Sequence, residues 1–534
     1  MKRMALIVLV LVTLSASAQM VEVAPSTPSA KLVQSLVSNE LRDVYAPAGY
    51  QYLWTRGGRP TPQALAAIAQ LEAAATHGLE PVDYDGGQWA ARIASLRGDA
   101  AIADFDVDLT AAIVRYASDL RVGRVNPREV RFDYETSSKK LYMPAFIASV
   151  TTSSDAAATL ASVAPKHPEY QRLVTALAQY RRIANESQND TPLPVVTKLT
   201  PGQAYEALPQ LAAMLRRTGD LAANAQIDTT TYNGALVDAV KHFQSRHGLD
   251  NDGVIGKTTF AQLNTPATRR VEQIEWALER WRWIEEIEGA KILVNIPEFK
   301  LTARDENGEE LTMRVVVGKA AGHKTPVFGG DIKHVVLRPS WSVPPSIQRG
   351  EIAPKVAKDY GYLARNNYEL VDDSGRSVGS SVDADTVRRI KNGSLRVRQK
   401  PGNHNALGLV KFLFPNDNNV YLHSTPQQAL FARSRRDFSH GCVRVEDPVA
   451  LAEWALRTQP EWTREKIEAA MSGKRDDVYV KPSRPIEVQI LYATAVASED
   501  GQVRFYEDIY GHDIQLAKVL APQRNAAPMM VAAK

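Results

Sequence analysis

Near Gly289 the apolar residues change their spacing from a repeat of about 3.6 to a repeat of 2, which splits the chain into a helical first part and a mostly β second part. In the first part, "TPQALAAIAQLEAAATHGLEP" starts with Thr61 as N-cap and Pro62 at the first helical position. It carries Leu65, Ile68 and Leu71 along one face and stops at Gly78. "DLTAAIVRYASDLRVGRVNP" and "PEYQRLVTALAQYRRIAN" predict further helices, and residues 268–288 an amphipathic one with Ile274, Leu278 and Trp281 in one row. Trp276, Trp281 and Trp283 repeat at helical spacing and read as packing rather than as a platform for sugars.

Beyond Gly289, "KILVNIPEFKLTAR", the turn "DENG" and "ELTMRVVVG" predict a hairpin. "DIKHVVLRPSWSVPPSI", "NNVYLHST" and "PIEVQILYATAVA" add strands, with a helical excursion at about 346–366 and a helix at "DPVALAEWAL". The fold class is multidomain α+β, its mostly β second part a sandwich or barrel.

"MKRMALIVLVLVTLSASAQM" has Lys2 and Arg3, an apolar run too short to span a bilayer, and the small residues Ala16-Ser17-Ala18. It predicts a cleavable export signal over 1–18, a flexible leader over 19–30, and an exported mature protein without stable membrane insertion, which the resemblance given below places in the periplasm. A net charge of +4 over 534 residues suits an anionic polymer but is too mild to point to nucleic acid.

Cys442, in "RRDFSHGCVRVEDP", is the only cysteine of the chain. An unpaired cysteine in an exported protein reads as a reactive thiol or an intermolecular bridge. The nucleophile is the thiolate, and moving a thiol pKa from about 8.5 to about 6.5 takes roughly 2.7 kcal/mol, which a nearby imidazolium supplies. His440 and His423 are both candidates, and spacing does not decide between them. Gly441 permits an unusual turn and close approach of a substrate carbonyl to backbone N–H groups. Arg444 either binds a substrate carboxylate or ties the loop down. A zinc site drawn from His323, His334, His404, His423 or His440 lacks ligand spacing, so neither metal nor cofactor is expected.

Two resemblances follow from these residues. "LAAMLRRTGDL" with "AVKHFQSRHGLDNDGVIGKTT" resembles the small helical peptidoglycan-binding module of cell-wall enzymes; "DNDG" lacks the ligand pattern of a calcium loop. Ser439-His440-Gly441-Cys442-Val443-Arg444, preceded by His423-Ser424-Thr425 and by "RQKPGNHNALGLVKFLFPNDNNVYLHSTP", resembles the large periplasmic L,D-transpeptidases of Gram-negative bacteria.

That resemblance implies a helical scaffold at 31–195, a peptidoglycan-binding module at 199–266, a connecting helix at 267–289, a catalytic domain at 290–500 and a C-terminal strand and tail at 501–534. A helical capping insertion would occupy about 346–400. It implies Cys442 as nucleophile, His423 as general base oriented by the Ser424 carbonyl, and an oxyanion site at the Gly441 and Cys442 N–H groups helped by Tyr421. Trp341 would lie over the cleft, Arg444 would hold the loop or a carboxylate, and His440 would become a supporting residue. The implied reaction is a 3-3 cross-link between diaminopimelate residues through a thioester, with release of D-Ala and sensitivity to carbapenems. Peptidoglycan stem peptides and glycan are the implied partners, with penicillin-binding proteins as co-workers. An L,D-carboxypeptidase, a hydrolase detaching wall lipoproteins, and an inactive wall-binding protein are the rival readings.

Overall fold

In the computed structural model, which describes residues 23–286, 289–308 and 310–525, Thr61 starts the helix Pro62–Glu72 by accepting the Ala64 N–H on its hydroxyl. The buried face is Ala64, Ala67, Ile68 and Leu71. Leu65, expected on that face, is 50% exposed, because one helical step of about 100° from Ala64 turns it to solvent. The expected signal and residues 19–22 lie outside the described residues. The rest of the expected flexible leader is partly ordered: Thr27 caps a helix Pro28–Leu36, with the same Thr-Pro start as at Thr61.

Helices Gly98–Val122 and Pro168–Glu186 pack with the connecting helix Ala267–Trp283, which ends before the expected residue 288. Trp276, Trp281 and Trp283 are all buried, as packing residues should be. The helical region does not close on itself. One continuous apolar core runs from Val33 and Leu71 through Ile274 and Trp283 to Val294 and Val488 of the sheet. A short strand, Phe132–Asp133, adds to the sheet edge parallel to Val327–Asp331, and the Tyr134 hydroxyl donates to the Ile490 carbonyl at 2.8 Å.

The module at 193–263 has a core of its own, closed by helices Leu208–Arg217, Gly234–Arg246 and Lys257–Leu263. Leu236, Val240, Phe243, Phe260 and Leu263 are buried there as their spacing predicts.

In the β part, "KILVNIPEFKLTAR" is two strands rather than one. Lys291–Asn295 turns back through Pro297 and Phe299, at φ +54°, into Lys300–Arg304, which pairs with Glu310–Gly318. Pro297 offers no N–H to a ladder, so the run breaks there. The long mixed sheet continues from Glu310–Gly318 through Val443–Val445, Leu422–His423, Val410–Leu413 and His334–Leu337 to Val478–Val480. On its other side it continues through Lys300–Arg304, Lys291–Asn295 and Glu487–Leu491 to Val327–Asp331.

The insertion, expected to be helical, also holds a sheet in the order Ser377–Gly379, Tyr368–Val371, Arg396–Gln399, Trp341–Ser342, with a separate core around Val356, Leu363, Ile390 and Val397. Val397 stands between Arg396 and Arg398, a strand period inside the insertion predicted as helical, while all four residues of Tyr368–Val371 are buried. The C-terminal segment adds a helix, His512–Asn525, to the expected strand and tail. Among the described residues no helix is long and apolar enough to cross a membrane.

Candidate active site

Val410, Phe412, Leu422 and Val443 are buried on the core side of three adjoining strands. Alternation therefore turns Lys411, His423 and Arg444 to the opposite face, where register places His423 across from Lys411 and beside Arg444. Tyr421 joins them: its ring meets the His423 ring edge-on at 5.8 Å, and Lys411 Nζ lies 4.0 Å from its centroid.

Cys442 sits in the turn between Asp437–Ser439 and Val443–Val445. Gly441, at φ +118°, makes that turn, a conformation side chains other than glycine rarely adopt. Ser439, 2% exposed, donates its hydroxyl to the Cys442 carbonyl at 2.5 Å and accepts the Gly441 N–H at 3.1 Å. The Gly441 N–H, expected in an oxyanion site, is thus bonded inside the loop. From below, Thr325 donates to the Gly441 carbonyl at 2.7 Å and accepts the Gly318 N–H at 2.8 Å. The Tyr510 hydroxyl donates to the Gly318 carbonyl at 2.5 Å and accepts the Thr325 N–H at 3.2 Å.

The Cys442 thiol points at the Asn419 carbonyl, 3.8 Å away, and burial pushes the pKa of the Tyr421 hydroxyl well above the ordinary value. His423, 5% exposed, has Nδ1 2.5 Å from the Ser424 carbonyl. A carbonyl only accepts, so Nδ1 carries the proton and Nε2 keeps its lone pair. Burial, then the positive charge of Arg444, lowers the His423 pKa to about 3. Burial raises the Cys442 thiol, against the opposing pull of Tyr421, Lys411 and Arg444. The resting pair is therefore a neutral thiol and a neutral imidazole. The expected imidazolium is disfavoured first by burial of the ring and then by the charge of Arg444 beside it.

Arg444 donates to Gln427 Oε1 at 2.7 Å, which ties down the segment after His423. His440 is engaged elsewhere, with Nε2 2.5 Å from Glu351 Oε1 of the insertion and its ring 4.7 Å from that of His323. Among the described residues no carboxylate pairs with Lys411 or Arg444, and no group of three His, Cys, Asp or Glu side chains is placed to hold a metal.

Two residues went unread in the sequence. Lys411 is a lone charge between the buried Val410 and Phe412, and that interruption was its signal. Gly408, at φ +60°, would bring a Cβ to 2.3 Å from Ser424 Oγ, so only glycine lets its loop rest on the residue that holds His423.

Residues 289–480, which contain Cys442, His423 and the strands that carry them, match the family described as L,D-transpeptidase catalytic domain. This region is an L,D-transpeptidase catalytic domain. Residues 205–263 match a family described as "Putative peptidoglycan binding domain", and residues 39–177 one described as "Scaffold domain". A "Putative L,D-transpeptidase" of Haemophilus influenzae is 33% identical over 227 residues, 42% of this chain and 45% of that protein, so the match spans less than half of the relative. Solved L,D-transpeptidases of Stackebrandtia nassauensis (16% identity, 56% of this chain and 97% of that one, TM-score 0.22) and Xylanimonas cellulosilytica (14%, 56% and 99%, 0.17) are also similar, at scores too low to bear on the argument.

Tyr510 lies beyond the matched end of the transpeptidase domain yet supports the Cys442 turn through Thr325. Thr325→Val should leave the Gly318 N–H and the Gly441 carbonyl unpaired, at about 1–3 kcal/mol in thermal unfolding. It should lower kcat by about ten- to a hundredfold with little change in KM, because the turn carries the thiol and not the substrate contacts.

Proposed function

We propose that the protein is an exported L,D-transpeptidase that joins peptidoglycan stems by 3-3 cross-links. The observation that carries this reading is the pairing that sets the Cys442 turn beside the strand of His423, whose ring is fixed with Nδ1 on Ser424.

In the first step Cys442 Sγ attacks the carbonyl of the third residue of a donor stem, a diaminopimelate, as His423 Nε2 takes the thiol proton. Collapse forms the thioester and expels D-Ala, whose amine receives that proton. The Cys442 N–H and the Tyr421 hydroxyl serve as oxyanion donors, and Lys411 and Arg444 supply positive charge beside the reacting centre. In the second step the side-chain amine of another diaminopimelate attacks the thioester. His423 takes a proton from that amine and returns it to the leaving sulfur, and an amide cross-link results. Trp341 and the insertion form the roof over this face.

The test is incubation of the full chain with purified disaccharide-tetrapeptides, with products read by mass spectrometry. Dimers linked 3-3 and free D-Ala are expected from the wild type and not from Cys442→Ala. Tripeptides without dimers would replace this reading with the carboxypeptidase.

A further inference from the structure

A cavity of about 410 Å³ lies where the module, the scaffold helix Pro168–Glu186 and the start of the connecting helix meet. Ile183, Met214, Leu215, Phe243, Leu263 and Phe505 make its walls largely apolar. Three guanidinium groups, from Arg217, Arg246 and Arg270, also line it.

Two of the three have counter-charges. Arg217 pairs with Asp190, and Arg246 forks onto the fully buried Asp220 through Nε at 2.6 Å and Nη2 at 2.5 Å. Arg270 has none among the described residues, although it is only 6% exposed. It donates to Gln273 Oε1 at 2.8 Å, Gln262 Oε1 at 2.7 Å and the Gln262 carbonyl at 3.1 Å, and stands 4.8 Å over the Phe505 ring. Neutral partners accept three hydrogen bonds from its terminal nitrogens but leave its charge uncompensated, which is costly for a buried ion. Burial holds its pKa down to about 9.

The same cavity is bordered by Pro266, Ala267 and Thr268, the first turn of the 17-residue connecting helix. The N–H groups of such a turn carry partial positive charge and favour an anion. Apolar walls around a few converging polar groups are the usual form of a ligand pocket.

We propose that this cavity binds the carboxylate end of a short peptide whose last residue is apolar, Arg270 and the first turn of the connecting helix taking the charge. The alanine end of the peptidoglycan stem, a methyl group beside a carboxylate, is the ligand of this chemistry, an assignment that rests on the wall-binding reading of the module. The cavity is then a second stem site, separate from the face that holds Cys442, and it lets the enzyme stay on the wall between turnovers.

Hydrogen–deuterium exchange on the full-length Cys442→Ala chain, with and without disaccharide-tetrapeptide, tests this. Slowed exchange is expected across 214–218 and 262–270. Arg270→Gln, Met214→Trp, and a tetrapeptide ended by a carboxamide should each weaken that protection at least tenfold in ligand concentration. Protection confined to the region around Cys442 and the insertion, or an Arg270→Gln chain that binds as the wild type does, would overturn the proposal. Should Arg270→Gln fail to fold, Met214→Trp decides alone. Both substitutions in the Cys442 background should leave carbapenem acylation within twofold of the parent, and failure of the parent itself to acylate would count against the transpeptidase reading and not against the cavity.

Discussion

Cys442→Ala should show no carbapenem adduct by intact mass, and His423→Gln should form that adduct about 10²–10⁴-fold more slowly than the wild type. The two effects differ in kind. Cys442 is the only thiol of the chain, so its loss removes the one acceptor for a thioester. With both groups neutral at rest, the role proposed for His423 is to take a proton during attack, and an uncatalysed route through the small thiolate fraction remains. An adduct on Cys442→Ala, or an unchanged rate in His423→Gln, would remove these roles.

The pH dependence separates a neutral pair from an ion pair. The folded pKa of His423 is lowered to about 3 from an ordinary value near 6.5, so the imidazole stays a competent base well below pH 6.5. The acid limb of the acylation profile should therefore fall below pH 5. Stability runs with the same sign. Below about 6.5 the unfolded chain binds the proton first, so the stability due to a neutral His423 is present above that pH and is lost as pH falls towards 3. Between pH 6.5 and 4.5 this amounts to on the order of 2–3 kcal/mol, which His423→Gln should be spared in urea unfolding.

Cys442, the histidine on a separate strand and the glycine turn were legible as candidates because each is a distinctive residue type in a recognisable setting. What holds them was not. Ser439, Thr325 and Tyr510 reach the turn from separated parts of the chain, and nothing in a hydroxyl's sequence context says which carbonyl it will meet. The neutral state of His423 depends on burial and on Arg444, a register neighbour that only strand pairing reveals. The period change at Gly289 marked where strands begin. It also suggested a boundary that the packing does not respect, since apolar residues facing a neighbouring layer look the same whether that layer belongs to the scaffold or to the sheet.

That shared core makes Glu279→Ala the largest expected loss of stability, about 3–5 kcal/mol. Glu279 is 2% exposed on the connecting helix. Its Oε1 accepts the Arg124 and Val125 N–H groups at 2.6 and 3.0 Å, and its Oε2 takes Arg282 Nη1 at 2.8 Å. Removing it strands the guanidinium of Arg282, 1% exposed, beside the Tyr170 hydroxyl and the His77 carbonyl. The chain has no room to open there, because Gly123, at φ +92°, already packs so closely that a Cβ would stand 2.6 Å from Trp283 Nε1. Replacing both ions with Glu279→Leu and Arg282→Leu should recover much of the loss, since the apolar pair leaves no buried charge unpaired. A double variant no more stable than Glu279→Ala in urea unfolding would show instead that the backbone bonds at Arg124 and Val125, and not the ion pair, hold the scaffold to the connecting helix.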